Sequence, residues 1–316
     1  MGEPSDVLSL NEISVPAIGP DEVLVKARAI AINFPDVLLA RGEYQVKPEL
    51  PFVPGLELCG EVVEVGANVS NLVVGQRVIG SKIGVLAEYS ALEASLVFPA
   101  PESLSDVEAA ALYIGHQTGY FGLHRRARLQ PGETLLVHAA AGGVGTAAVQ
   151  LGKAAGARVV GVVGSAAKIE VAKQAGADVV IDRSREDFVT VVNELTSGAG
   201  ANVIYDPVGG DVFERSTKCI AFEGRIVVVG FASGAVGVAR ANHALVKNYS
   251  IDGLHWGLYA TKAPQLIVEA HRELTVLADA GKVRPIIGET LPFDRAAAAI
   301  EALAGGETVG RLVVTL

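Results

Sequence analysis

The chain alternates between two rhythms. From about residue 12 to 101, short apolar runs are broken by Gly and Pro. EVLVKARAIAIN, GEVVEVG and GQRVIGS each read as a strand that ends at a turn signal. From about residue 134 to 252, Val-rich strands alternate with Ala-rich helical stretches. TLLVHA leads to a helix over 144–155, ARVVGVV to one over 167–175, DVVID to one over 186–195 and ANVIYD to one over 211–221, with RIVVVG after it. Repeated β-α units predict a doubly wound parallel sheet, whose strands are buried on both faces and read as continuous Val/Ile runs. The stretch from about 256 to 316 carries two helical segments and a last strand, RLVVTL. The shifts near residues 115 and 255 divide the chain into 1–114, 115–254 and 255–316.

Composition narrows the class. The 316 residues carry 26 Lys and Arg against 35 Asp and Glu, a net charge of −9. No basic excess is present to neutralise phosphates, so a nucleic-acid surface is not expected. Half the residues are hydrophobic and 19% are charged, which excludes a disordered chain. The 36 glycines follow no three-residue period, which excludes collagen. Cys59 and Cys219 belong to no C-x-x-C motif and point to a reducing compartment. No run approaches the roughly 18 apolar residues of a membrane span, and the polar start MGEPSDVLSLNE is unlike a secretory signal. A soluble cytoplasmic protein with no membrane partner is expected.

The strongest chemical signal is TLLVHAAAGGVGTAAVQLGKAAGARVVGVV, residues 134–163. A strand runs through AAGGVG directly into an Ala-rich helix, and a second strand follows at βαβ distance. Small residues there let the backbone approach a pyrophosphate, and the helix start offers free N–H groups and a positive dipole end. The fingerprint is a variant, Ala140-x-Gly142-x-x-Gly145, so Gly142, Gly143 and Val144 are the candidate phosphate contacts. A tight β-α turn without a ligand is the structural alternative.

The second strand ends in Gly164-Ser165 rather than in the Asp or Glu that holds an NAD ribose. Lys168 follows, and Arg183 comes just after the third strand. Adjacent strand ends meet at one rim, so Ser165, Lys168 and Arg183 are expected to converge on a 2′-phosphate. The cofactor expected is therefore NADPH. Taken singly, Lys168 also reads as a solvated helix residue. Two more Gly-rich turns, YDPVGG at 205–210 and VVVGFASG at 227–234, close the fourth and fifth strands at the edge where ligands bind. The second supplies Gly230, Phe231 and Ala232 as candidates.

HAAAGGVG, INFPDVLLARGEY, PFVPGLELCGEVVEVG, YDPVGG and VGRLVVTL occur in family order and together resemble the quinone oxidoreductase (zeta-crystallin-like) branch of the medium-chain dehydrogenase/reductases. The resemblance covers essentially the whole chain. It implies a GroES-like β-barrel catalytic domain, built from the N-terminal zone and the C-terminal tail, interrupted by a Rossmann domain, with the nicotinamide in the cleft and a homodimer formed through the Rossmann sheet edge. Family members begin with a strand ahead of the GEPSDVLSL segment, so one barrel edge is expected to be unpaired here. Zinc relatives carry a Cys in the first barrel segment, a His in G-H-E and a four-Cys lobe. Here the corresponding residues are Ile32-Asn33-Phe34 and Gly55-Leu56-Glu57, and there are only two Cys. No zinc is expected.

The resemblance places Asn33 and Thr118 near the nicotinamide, Tyr44 where enoyl reductases carry a proton donor, His255-Trp256 at a strand end over the nicotinamide, and Arg311 near the cofactor. Each has a plainer alternative: a turn Asn, helix packing, aromatic packing or a surface cation. Asp36 reads as a helix cap, Glu57 as a structural acid and His116 as a core or surface His. Hydride transfer without a metal suits an acceptor that is already electrophilic. The first expectation is NADPH-dependent reduction of a quinone. The second is reduction of a C=C bond in an enone or enoyl thioester, with Tyr44 as proton donor. The third, of another class, is an NADPH-binding structural or RNA-binding protein.

Overall fold

The structure is a computed structural model that describes residues 1–316. The chain forms thirteen strands: β1 (Glu22–Ile32), β2 (Glu57–Val65), β3 (Arg77–Ser81), β4 (Tyr89–Glu93), β5 (Val97–Pro99), β6 (Thr134–Val137), β7 (Arg158–Val163), β8 (Val179–Asp182), β9 (Ala201–Asp206), β10 (Ile220–Val228), β11 (Ser250–Gly253), β12 (Ile287–Pro292) and β13 (Arg311–Thr315). Two compact units result. The first joins Met1–Ile114 to Lys262–Leu316, and the second is Gly115–Thr261.

The first unit is a seven-stranded sheet in the order β12-β13-β1-β2-β3-β5, with β4 also paired to β1. β1 is its axis. β2 runs along one edge, while β4 takes the first half of the other edge and β13 the second half. Two register breaks against β2, at Leu24/Val25 and Ala27/Ala29, bend the strand. Val23, Val25, Ile30 and Ile32 thereby reach one core with Leu58, Val78, Leu312 and Ile300. Gly60 of β2 crosses so close to the Lys26 carbonyl that a Cβ would overlap it. The helix Phe34–Arg41 follows β1 directly. Pro35 lies in its first turn, and Gly42 ends it at φ 71°.

The second unit is a six-stranded sheet in the order β11-β10-β9-β6-β7-β8, parallel at every pair. Numbered within the unit and read from β8, that is 3-2-1-4-5-6, the order of a doubly wound dinucleotide-binding sheet. Leu136, Val160, Ile204 and Ile226 are fully buried in its core. No helix of the chain is long and apolar enough to cross a membrane.

The structure differs from the sequence reading in several places. The helix expected over 211–221 is Gly210–Ser216, because Ile220 already pairs with Ala201 in β10. The helix expected over 186–195 starts at Phe188, since the Asp187 side chain caps it by accepting Val189 N–H. The one expected over 167–175 opens as a tight turn, Ala166–Lys168, and is α-helical only over Ile169–Gln174. β4, β5 and β12 were not legible as strands. The second unit runs on to Thr261 rather than 254, so it includes His255 and Trp256. The Phe121 and Tyr259 rings, 4.4 Å apart, tie that extension to the unit.

His138 shows how firmly the second core is closed. Its Nε2 lies 2.8 Å from Ser216 Oγ, and its ring meets Phe188 edge-on at 5.0 Å. Burial, with Arg183 and Arg215 adding to it, pushes its pKa down to about 3. A histidine depressed in the folded state stabilises the fold above its unfolded pKa of roughly 6.5 and loses that contribution as pH falls below it. The unfolding free-energy gap between wild type and His138→Gln should therefore shrink by about 2 kcal/mol from pH 7 to pH 5 in urea titrations. A gap independent of pH would contradict a neutral buried His138.

Candidate active site

The nucleotide end is built by the turn after β6. Ala139 adopts φ 50°, and Ala140 N–H donates to Val162 O at 3.0 Å, which fixes the turn to β7. Gly142 caps the helix Gly143–Ala154. A Cβ on Gly145 would overlap the Ala139 carbonyl oxygen, so the helix can start flush against the turn only with glycine there. The first N–H groups of that helix, from Gly143 and Val144 onward, lack partners within it and sit at its positive end. This bare cradle fits a pyrophosphate.

The rim beside it is cationic. Gly164 follows β7, and a Cβ on it would stand 3.9 Å from Arg183 Nε and 4.0 Å from Arg183 Nη2. Arg183 N–H donates to Val163 O at 3.0 Å, which holds the two strand ends together. Ser165 caps the turn that ends at Lys168. The nearest acid in the chain, Asp182, accepts the Ser184 N–H and hydroxyl at 3.0 and 2.7 Å. The structure thus places the Arg183 guanidinium beside the open side-chain position of Gly164, with Ser165 and Lys168 on the next turn.

The other strand-end loops also meet. Ala232 N–H donates to Pro207 O, and Ser233 N–H to Val208 O, both at 3.0 Å. Gly230, Phe231 and Ala232 are therefore docked on the loop that follows β9. Leu254 N–H donates to Val228 O at 2.9 Å, so His255 and Trp256 leave the sheet beside the end of β10. Thr118 lies buried on the helix Tyr113–Tyr120. His116 is a core residue, with Nε2 3.1 Å from Gln150 Oε1.

In the first unit, Asn33, Glu57 and Arg311 form a closed buried network. The Asn33 side-chain amide donates to Glu57 Oε1 at 3.0 Å and to Ala31 O at 3.1 Å. Arg311 Nη2 donates to Asn33 Oδ1 at 3.0 Å and ion-pairs with Glu57 Oε1. Glu57 Oε2 accepts Ile114 N–H at 2.8 Å. Asp36 accepts Asn33 N–H at 2.8 Å and Gly55 N–H at 2.9 Å, as a capping acid should. One guanidinium serves two carboxyls. Burial pushes Asp36 up to about 7 and raises Glu57 as well, against the pull of Arg311. Arg311 is 5% exposed, which overturns the surface-cation alternative, and its Nε is buried without a partner. Tyr44 is half-buried two residues past the Gly42 cap, and burial followed by the nearby Asp36 raises its phenol pKa. The sequence reading missed the Glu57–Arg311 partnership. No group of three or more His, Cys, Asp and Glu side chains stands together as a metal site.

Residues 19–102 match the alcohol dehydrogenase GroES-like domain, and residues 143–271 match the domain described as zinc-binding dehydrogenase. The chain is 42% identical over 308 residues to a quinone oxidoreductase-like protein 2 homolog of Nematostella vectensis, covering 96% of this chain and 84% of that one. It belongs to the quinone oxidoreductase-type branch of the medium-chain dehydrogenase/reductase superfamily. The Escherichia coli quinone oxidoreductase, solved in complex with NADPH, superposes with a TM-score of 0.92 at 33% identity, covering 100% of this chain and 97% of that one. A CurK enoyl reductase superposes with a TM-score of 0.89 at 28% identity, covering 99% and 96%. The α/β architecture is that of the superfamily, a GroES-like part and a Rossmann-like parallel sheet, and the protein is an oxidoreductase.

The buried pair sets a stability test. Glu57→Leu leaves Arg311 buried without its counter-charge and should cost about 3–5 kcal/mol by chemical denaturation. Adding Arg311→Met should recover most of that loss. A double variant no more stable than Glu57→Leu would contradict the coupling.

Proposed function

We propose that the chain is an NADPH-dependent quinone oxidoreductase that works without zinc. The observation that carries the cofactor choice is the Arg183 guanidinium about 4 Å from where a side chain at Gly164 would begin, at the strand end where an NAD site has its carboxylate. A planar fork, with Lys168 on the turn that follows Ser165, suits a 2′-phosphate. The cradle at Gly142, Gly143 and Val144 takes the pyrophosphate, and the loops carrying Ser165 and residues 230–232 flank it. NADPH supplies a hydride when bound.

The residues of the chain orient and shield. Asn33, assigned to the nicotinamide end on the resemblance of its motif, is held by Glu57 and Arg311, so its side chain is oriented before any ligand arrives. Thr118, His255, Trp256 and Arg311 are assigned to the same end on the resemblance of their motifs. Glu57 is committed to Arg311, Asn33 and Ile114, and Leu56 replaces the His of a zinc site. A quinone is electrophilic without a Lewis acid, and its reduced oxygen can take a proton from water. Cys59 and Cys219 have no part in this, since both are free and buried, with thiols pushed up to about 12. Free thiols fit the cytoplasm as the location. β11 is a sheet edge, and the helix before it exposes Leu245 and Val246 (77% and 78%), which supports a homodimer through that edge.

A second reading, reduction of an enone or enoyl thioester, is favoured by Tyr44. Its half-buried phenol, protonated at neutral pH as any tyrosine is, can act as a donor.

In binding titrations, Arg183→Ala should weaken NADPH by roughly 10- to 100-fold while changing NADH less than about twofold. Equal losses for both would overturn the 2′-phosphate assignment. In the same preparation, NADPH turnover should be faster with a benzoquinone than with crotonyl-CoA, and Tyr44→Phe should leave the quinone rate unchanged. Preferential turnover of the enoyl thioester, lost in Tyr44→Phe, would establish the second reading instead.

A further inference from the structure

Asp206 has a role that neither the fingerprint nor the rim accounts for. It ends β9 and is fully buried. Its Oδ1 accepts two backbone donors, Val208 N–H at 2.8 Å and Gly209 N–H at 3.0 Å, while Oδ2 is buried without a partner. The turn pinned in this way is the platform for the next loop. Pro207 O accepts Ala232 N–H, and Val208 O accepts both the N–H and the hydroxyl of Ser233, the latter at 2.8 Å. Gly209 adopts φ 71°, and a Cβ on it would stand 2.6 Å from the Phe231 ring and 2.8 Å from Ala235 O. The two loops are therefore pinned to each other, and the turn that joins them is held at Asp206.

We propose that Asp206 is a positioning residue for the cofactor, which through Val208 and Gly209 holds the turn on which residues 230–233 are docked. This rests on the NADPH reading above. The geometry also defines the form of the acid. Both donors converge on one oxygen, which suits a carbonyl, and the dry second oxygen is the place for a proton. Burial raises the Asp206 pKa, in the same sense. A neutral acid of this kind has a near-isosteric substitute in asparagine. The Asn carbonyl can accept the same two N–H groups, whereas alanine leaves both of them buried and unpaired.

The test compares Asp206→Ala, Asp206→Asn and Ser233→Ala in the full chain, with NADPH as the probe. Asp206→Ala should raise the Kd and KM for NADPH roughly tenfold with kcat at saturation changed less than about twofold. Asp206→Asn should restore both constants to within about twofold of wild type. Ser233→Ala removes the hydroxyl's hydrogen bond to Val208 O together with its longer contacts to Ala235, and should shift Kd in the same direction by about two- to threefold. NADPH affinity unchanged in a folded Asp206→Ala overturns the proposal, as does an Asn variant as weak as the Ala variant. If Asp206→Ala does not fold, Ser233→Ala decides, and an unchanged Kd in it overturns the proposal. A wild-type protein that binds no NADPH overturns the functional reading itself, and that result precedes any comparison of variants.

Discussion

Gly145 has no room for a side chain. The Ala139 carbonyl occupies the place of its Cβ, so the helix Gly143–Ala154 can begin only against the turn that leaves β6. That contact fixes where the free N–H groups and the positive end of the helix point. Gly152, further along the same helix, likewise leaves no space between the helix and Leu135 of β6. The first β-α unit is thus rigid along its length. The sheet order places β6 between β7 and β9, and the chain reverses direction across the sheet at the β6–β9 step. The cationic rim lies on the β7 and β8 side of this helix start, and the paired loops after β9 and β10 lie on the other side.

The first unit depends on a different device. Asn33 follows β1 directly, Glu57 opens β2 and Arg311 opens β13, and their side chains meet in a space closed to water. Burying an ion pair costs nearly as much as its attraction returns. Its main effect is on placement: it ties three strands from distant parts of the chain to a single geometry. Arg311 is 278 residues from Asn33, so the network exists only once the C-terminal tail has paired with β1. Folding of the tail and rigidity of Asn33 are then one event.

The parts of the structure that could be read from the sequence share one physical property. β6, β7 and β9 are buried on both faces, so their Val/Ile runs stand out from the Ala-rich helices between them. β4, β5 and β12 do not stand out. β12 reads IGETLP, with a glycine inside it and a proline at its end, and it lies at a sheet edge where pairing with β13 rather than propensity makes it a strand. Ile220 continues the helical pattern of the residues before it, and its strand partner Ala201 lies outside the range of local periodicity. At the site, glycine spacing and the missing acid pointed to Gly164, Lys168 and Arg183, because those signals are local. The partnership of Glu57 with Arg311 is not local, and neither is the docking of Ser233 on the turn held by Asp206.

On the proposed function, the rim at Gly164 and Arg183 reads the 2′ end of the nucleotide. The most direct measurement of this is the pair of dissociation constants of wild-type protein for NADPH and NADH at one ionic strength. The charge-assisted contact predicts NADPH tighter by roughly tenfold or more. NADH bound as tightly as NADPH would contradict it.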